Sequence, residues 1–475
     1  MNDGLRKNVN GLRVGILGGG ITGLTAAFYL LRAGAEVTIV EARPELGGLA
    51  TSFDFGPFHW DKFYHCILTS DLPLQKLIED LGLSSEMRWT ETKTGFFTGQ
   101  GLHSMSTTWE FLRFPLLSLW EKFRLGLGVL YASRIKDGRA LESIPVAKWL
   151  IRVFGRGIYE KMWKPLLKCK LGASRDEASA AFIWATIFRI YSTREKNASQ
   201  KECLGYVRGG YRTVFARVVD EIERMGGKIL TGVPVQEIRT GPGGGIDFVT
   251  AKNRFHFDRA IATAPSKVIA SLVRELSPEY LAKLMGVKYL GVVCAVLLLK
   301  RRLTPFYVTN LTQEDLPFTG LIEMTNLISL EETRGRYLFY VPKYTSPGDP
   351  LFEASDEDVW KLFCPSLQRI FPDLQESDIE RRFIFRERLV QPVPVLHYSE
   401  LVPKMGTNVP GLFVANTTQI INSTLNNNEM VKIANRAVRK VLGEKELTPG
   451  DARIGDDDAV SKTMAAIPAV SVDRS

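Results

Sequence analysis

The chain has 475 residues, 45% of them hydrophobic, and its 61 Lys and Arg against 52 Asp and Glu give a formal net charge of +9. That length supports two or more domains around a large core, and no apolar run is long enough to cross a membrane as a helix. Five cysteines (Cys66, Cys169, Cys203, Cys294, Cys364) include no C-x-x-C pair, which argues against a zinc site and for a reducing, cytoplasmic setting.

In chain order, residues 1–11 carry no apolar stretch of the kind a secretory leader needs. Residues 13–17 then read as a strand, 22–33 as a helix stopped by Gly34, and 36–41 as a second strand. Gly18, Gly20 and Gly23 fall between strand and helix as G-x-G-x-x-G, the context in which that motif holds a dinucleotide. The first glycine permits the tight turn, the second admits a diphosphate, and the third lets helix and strand pack closely. Ile21 and Thr22 open the helix, whose N-terminal N–H groups and dipole favour an anion. Glu41 ends the second strand, where its carboxylate can accept hydrogen bonds from both ribose hydroxyls. An acid there disfavours a 2′-phosphate, and so NADP.

Beyond it, Glu41-Ala42-Arg43 and Gly47-Gly48-Leu49 complete E-x-R-x-x-x-G-G. This extended motif resembles that of FAD enzymes of the amine-oxidase-like superfamily, which includes phytoene desaturases, protoporphyrinogen oxidases and UDP-galactopyranose mutases. The resemblance implies non-covalent FAD and an α/β fold. That fold would have a Rossmann-like, glutathione-reductase-type FAD-binding domain, an interleaved mixed α+β substrate domain and a helical module. The FAD-binding domain is expected in three pieces, 11–85, 205–265 and 404–443. The helical module would occupy 86–204 and the substrate domain 266–403. Counting on from Gly48, the segment that relatives lay against the flavin ring corresponds to residues 61–65, D-K-F-Y-H. Asp61 is thereby implied near the cofactor, with Tyr64 and His65 as candidate catalytic residues. Phe63 and Tyr64 stand where relatives carry small residues and would narrow that space, and His65 could equally be an ordinary loop histidine. His59 reads as structural.

A helix is expected over 70–83. From 109 to 191 the pattern turns helical and aromatic, with Phe111, Phe114, Leu117 and Trp120 at helical spacing across a proline kink. Such stripes are mostly core. In desaturase-like and protoporphyrinogen-oxidase-like relatives part of this region meets the membrane, and Arg113, Lys122 and Arg124 could face lipid headgroups on the inner membrane face. After Gly209-Gly210 come a helix with Val214, Val218, Ile222 and Met225 on its apolar face, strands over 235–238, 246–250 and 255–257, and a buried strand over 258–265. The resemblance places Val235 at the adenine through its main chain. Strands are expected over 291–299, 321–325 and 337–341, and a helix over 356–370. A last strand over 409–415 precedes a helix over 428–442 whose N-terminus, in relatives, points at the flavin. Asn416 replaces the usual glycine there, and Met430 lies in that helix's first turn. The tail 444–475 reads as polar and disordered.

Two features argue against a plain amine oxidase. Val293 occupies the position matched to the strand lysine of those enzymes, and residues 425–428 lack the aromatic expected before the last helix. No G-x-S-x-G and no nucleic-acid motif occur. The reading is an FAD-dependent oxidoreductase taking hydride from a small, apolar or cyclic substrate. A flavin-dependent isomerase of nucleotide sugars, similar to UDP-galactopyranose mutase, is the alternative.

Overall fold

A computed structural model describes residues 9–195 and 202–443; residues 1–8, 196–201 and the tail read as disordered lie outside the described residues. The amino-terminal motif enters a five-stranded parallel sheet in the order Lys228–Leu230, Glu36–Val40, Arg13–Leu17, Arg259–Ala262, Leu412–Val414. Three distant stretches of chain therefore share one sheet, with Val14 opposite both Val37 and Arg259. The helix Ile21–Arg32 buries every residue but Arg32. It reads as apolar nearly all round because neighbours enclose it. Tyr211–Arg224 and Asn427–Val441 pack on it in one cluster that includes Leu24, Phe28, Val214, Val218, Val431 and Val438. Met225, expected on the buried face, is the half-buried C-cap.

A second, seven-stranded sheet runs in the order Ile379–Pro392, Tyr289–Leu299, Tyr337–Thr345, Leu321–Glu323, Val308–Leu311, Thr94–Phe97, Leu102–Ser104. The second strand in that order, Tyr289–Leu299, is buried at all eleven positions. Alternate residues serve opposite faces. Val293, Ala295, Leu297 and Leu299 meet the helix Asp356–Ile370 through Val359, Phe363 and Leu367. Val292, Cys294, Val296 and Leu298 face Phe55, Trp60 and Tyr340. Two buried faces explain an unbroken apolar run. The strand Ile379–Pro392 is not apparent in the sequence, because its charged residues pair with side chains outside it. Arg382 contacts Glu357, Arg386 contacts Asp356 and Arg388 contacts Glu353.

The aromatic region folds as helices Thr108–Arg113, Leu119–Arg134, Val146–Phe154, Lys164–Leu171 and Ala180–Glu195. One correction concerns the expected proline-kinked helix. Pro115 separates two helices, each opened by its own capping box, Thr107 with Glu110 and Ser118 with Glu121. Phe114 and Leu117 are buried as the spacing implies, whereas Trp120 is 69% exposed.

Candidate functional site

The glycine loop and the Gly47-Gly48 turn lie backbone against backbone. Gly47 N–H donates to Gly19 O at 2.9 Å, and a Cβ on Gly48 would come within 3.3 Å of Gly20 Cα. Gly18 and Gly47 hold φ of 105° and 111°, a region closed to most side chains. A Cβ on Gly23 would meet Gly18 O at 2.0 Å, so no larger residue fits while the helix sits this close to the strand. The N-cap Gly20 has no capping side chain. The first-turn N–H groups of Ile21, Thr22 and Gly23 thus lack an intrahelical acceptor and can serve a diphosphate. Glu41 stands alongside. One carboxylate oxygen accepts Gly19 N–H at 2.6 Å, the other Arg43 N–H at 2.8 Å. This fixes the carboxylate and leaves further lone pairs for ribose hydroxyls. The residues present fit a dinucleotide.

The other candidates divide between ligand-facing and structural positions. Ala42 and Gly48 are exposed beside the cradle, and Leu49 packs under the second sheet. Arg43 turns its guanidinium to Glu387 at 3.0 Å. Val235 pairs with Thr250 just before a bulge, while Val233 N–H is taken by Glu41 O at 2.9 Å. Asn416 is a clamp: its amide donates to Ala264 O at 2.7 Å, and its side-chain oxygen accepts from Thr418 Oγ1 at 2.6 Å. It ties together the exits of Arg259–Ala262 and Leu412–Val414, where a glycine could not. Met430 is buried against the first helix. Asn426, accepting Glu429 N–H at 3.0 Å, caps the last helix. The neighbouring Asn427 amide lies beside the Tyr211 hydroxyl, and neither finds an aligned hydrogen-bond partner.

Residues 61–65 bridge the two sheets. Asp61, 2% exposed, accepts Tyr211 N–H at 3.1 Å, and its main-chain oxygen accepts the Tyr340 hydroxyl at 2.6 Å. The carboxylate therefore sits at the positive end of the helix Tyr211–Arg224. His65 lies on the same side. Its Nδ1 is 3.4 Å from Asp61 without a hydrogen bond, and its ring meets Tyr211 edge-on at 5.3 Å. Tyr64 goes the other way, its hydroxyl 3.2 Å from that of Tyr344. The two candidate catalytic residues thus serve opposite surroundings.

Tyr64, Cys66, Tyr307, Tyr340 and Tyr344 form an aromatic floor on the front of the second sheet. Burial holds the Tyr64, Tyr307 and Tyr340 phenols far above their ordinary ionisation range and pushes the Cys66 thiol up to about 11. These groups stay neutral at physiological pH. Val293 points to the back of the sheet, so on this register it does not face that floor, and no lysine occurs in its strand. Sequence reasoning missed Arg189. Arg189 binds Asp71 and Thr424, each at 3.0 Å, joining the helical module to the loop before the last helix. No local motif could have signalled this, since the partners lie 118 and 235 positions away.

The family described as flavin containing amine oxidoreductase matches residues 21–417. A 15-cis-phytoene desaturase of Narcissus pseudonarcissus is 24% identical over 80% of this chain and 70% of its own. Protoporphyrinogen oxidase 2 of Arabidopsis thaliana is 26% identical over 44% of this chain and 40% of its own. Among solved structures, a reduced UDP-galactopyranose mutase superposes with a TM-score of 0.70 at 14% identity, covering 95% of this chain and 99% of that one, a likeness of fold alone. No helix among the described residues is long and apolar enough to cross a membrane. The chain belongs to the flavin containing amine oxidoreductase family and is a flavin-dependent oxidoreductase.

Proposed function

We propose that this protein dehydrogenates an apolar or cyclic substrate, with non-covalently held FAD as the hydride acceptor. The observation that carries the reading is the aromatic floor, with its neutral phenols and no lysine in the strand Tyr289–Leu299. Bound FAD would supply a two-electron acceptor. The chain's own part is binding and alignment. Gly18, Gly20, Gly23, Gly47 and Gly48 hold the diphosphate, Glu41 the ribose, and Val235 the adenine through its main chain. Asp61 and Tyr340 fix the segment bearing Tyr64, and the floor excludes water from the reacting carbon. Tyr64 and His65 are the candidate catalytic residues, Tyr64 as the substrate-side contact.

The substrate side also includes a surface. Along Leu119–Arg134, Leu119, Trp120, Phe123, Leu127 and Tyr131 are 51–73% exposed, and Trp109 on the preceding helix is 62% exposed. Such a patch seeks a partner. It is suited to lie on a lipid surface and take up a greasy substrate there. The test is anaerobic mixing of oxidised holoenzyme with candidate polyenes and porphyrinogens. A substrate of the proposed kind bleaches the flavin without added reductant. If no apolar or cyclic hydrogen donor reduces it, the reading fails.

A further inference from the structure

Trp60 is 1% exposed, and its Nε1 is buried with no hydrogen-bond partner among the described residues. His65 Nδ1 is in the same state. Both residues, together with Asp61, Gly210 and Tyr211, line a cavity of about 10 Å³, the size that takes a single water. Gly210, at a φ of 68°, keeps the space clear, since a Cβ there would lie 3.0 Å from Asp61 Oδ1. Two buried nitrogens and a carboxylate around one such cavity supply the two to four polar partners that an internal water needs.

The donors and acceptors around it have fixed roles. An indole N–H only donates and a carboxylate only accepts. Asp61 Oδ1 is taken by Tyr211 N–H at 3.1 Å, while Oδ2 lies 3.4 Å from His65 Nδ1. A bare lone pair on Nδ1 would face that oxygen and be repelled, whereas an N–H is attracted, so the neutral ring carries its proton on Nδ1. The imidazole is 17% exposed, and its Nε2 is not buried and has no hydrogen-bond partner among the described residues. With the proton on Nδ1, the free lone pair belongs to Nε2.

We propose that the cavity holds one water, which accepts from Trp60 Nε1 and His65 Nδ1 and donates to Asp61 Oδ2, and that this linkage fixes His65 as the Nδ1–H tautomer with Nε2 as a proton acceptor. Asp61 and Trp60 are then positioning residues that act through His65. This rests on the reading of His65 as a candidate catalytic residue and makes its neutral ring a base, not an acid, at Nε2.

The test has two readouts on the holoenzyme. A high-resolution crystal structure should show one ordered water within about 3.2 Å of Asp61 Oδ2 and of both nitrogens. A dry cavity, or a water that touches neither nitrogen, overturns the proposal. The second readout is the nitrogen-15 spectrum of histidine-labelled protein, at a pH well above the ordinary histidine value of about 6.5. The chain has five histidines, and the signal lost in His65→Gln is that of His65. It should show Nδ1 protonated and Nε2 bare, and a ring protonated on Nε2 overturns the proposal. Asp61→Asn should lose the tautomer preference, because an amide can donate toward Nδ1 as well as accept from it. An unchanged tautomer in a folded Asn variant overturns the part given to Asp61, and the two readings on the parent protein decide the matter should that variant misfold. Neither readout needs turnover, so failure of the dehydrogenase reading appears separately, as a flavin no hydrogen donor bleaches.

Discussion

Lys122 donates its Nζ to the carbonyl oxygen of Leu112 at 2.7 Å, and with this bond the helix Leu119–Arg134 turns its charge inward and its rings outward. Lys122 is 7% exposed while Trp120 and Phe123 are 69% and 57% exposed. The sequence reading set Lys122 among residues facing lipid. It instead satisfies a carbonyl left open at the end of the helix Thr108–Arg113. Arg113 does remain at the surface, its guanidinium 4.6 Å from the Trp109 ring centre.

If this patch rests on lipid, Trp120→Glu with Phe123→Ser should release the protein from vesicles while leaving its thermal midpoint nearly unchanged, since neither side chain is buried. Co-sedimentation with vesicles of phosphatidylglycerol and phosphatidylcholine is the check. Equal sedimentation of parent and double variant would remove the patch from membrane contact.

Glu41→Ala should weaken FAD binding by about 1–3 kcal/mol, the scale of hydrogen bonds to a charged acceptor. Flavin titration of the apoprotein measures this. The carboxylate also receives Gly19 N–H, so part of the loss comes from a looser glycine turn, and circular dichroism should show the fold kept. An unaltered dissociation constant would remove Glu41 from the ribose site.

Glu323 yields a pH signature. It is buried at the end of Leu321–Glu323, accepting Thr304 N–H at 2.8 Å, and burial raises its pKa from 4.5 to about 7. The folded-state value is the higher one, so the associated stability is fully present below about pH 4.5. It is lost as pH rises to 7, and amounts to about 3 kcal/mol. Glu323→Gln should remove that decline, so the thermal midpoints of variant and parent should diverge between pH 4.5 and 8. Parallel pH profiles would contradict the assignment.

The cradle was legible because its constraints are local. Gly18 and Gly47 need φ values that other residues resist, and Gly23 must lie against Gly18 O. The helix Asp356–Ile370 appears at the expected bounds because Val359, Phe363, Leu367 and Ile370 keep its period. The strand Ile379–Pro392 escaped notice because its Arg382, Arg386 and Arg388 are neutralised by Glu357, Asp356 and Glu353, acids outside the strand. Asn416 reads as a missing glycine until Ala264 and Thr418 show what its amide holds. The link at Arg189 was hidden for a related reason: Asp71, Arg189 and Thr424 come from separate stretches of chain, and only folding brings them together.

The central claim, net redox chemistry on the flavin, is tested most directly by a single anaerobic turnover once a substrate is in hand. The account predicts that oxidised enzyme converts one equivalent of substrate, loses its oxidised flavin absorbance, and stops until an electron acceptor is added. An oxidised enzyme that is silent, but after dithionite reduction turns over repeatedly without consuming electrons, would contradict it.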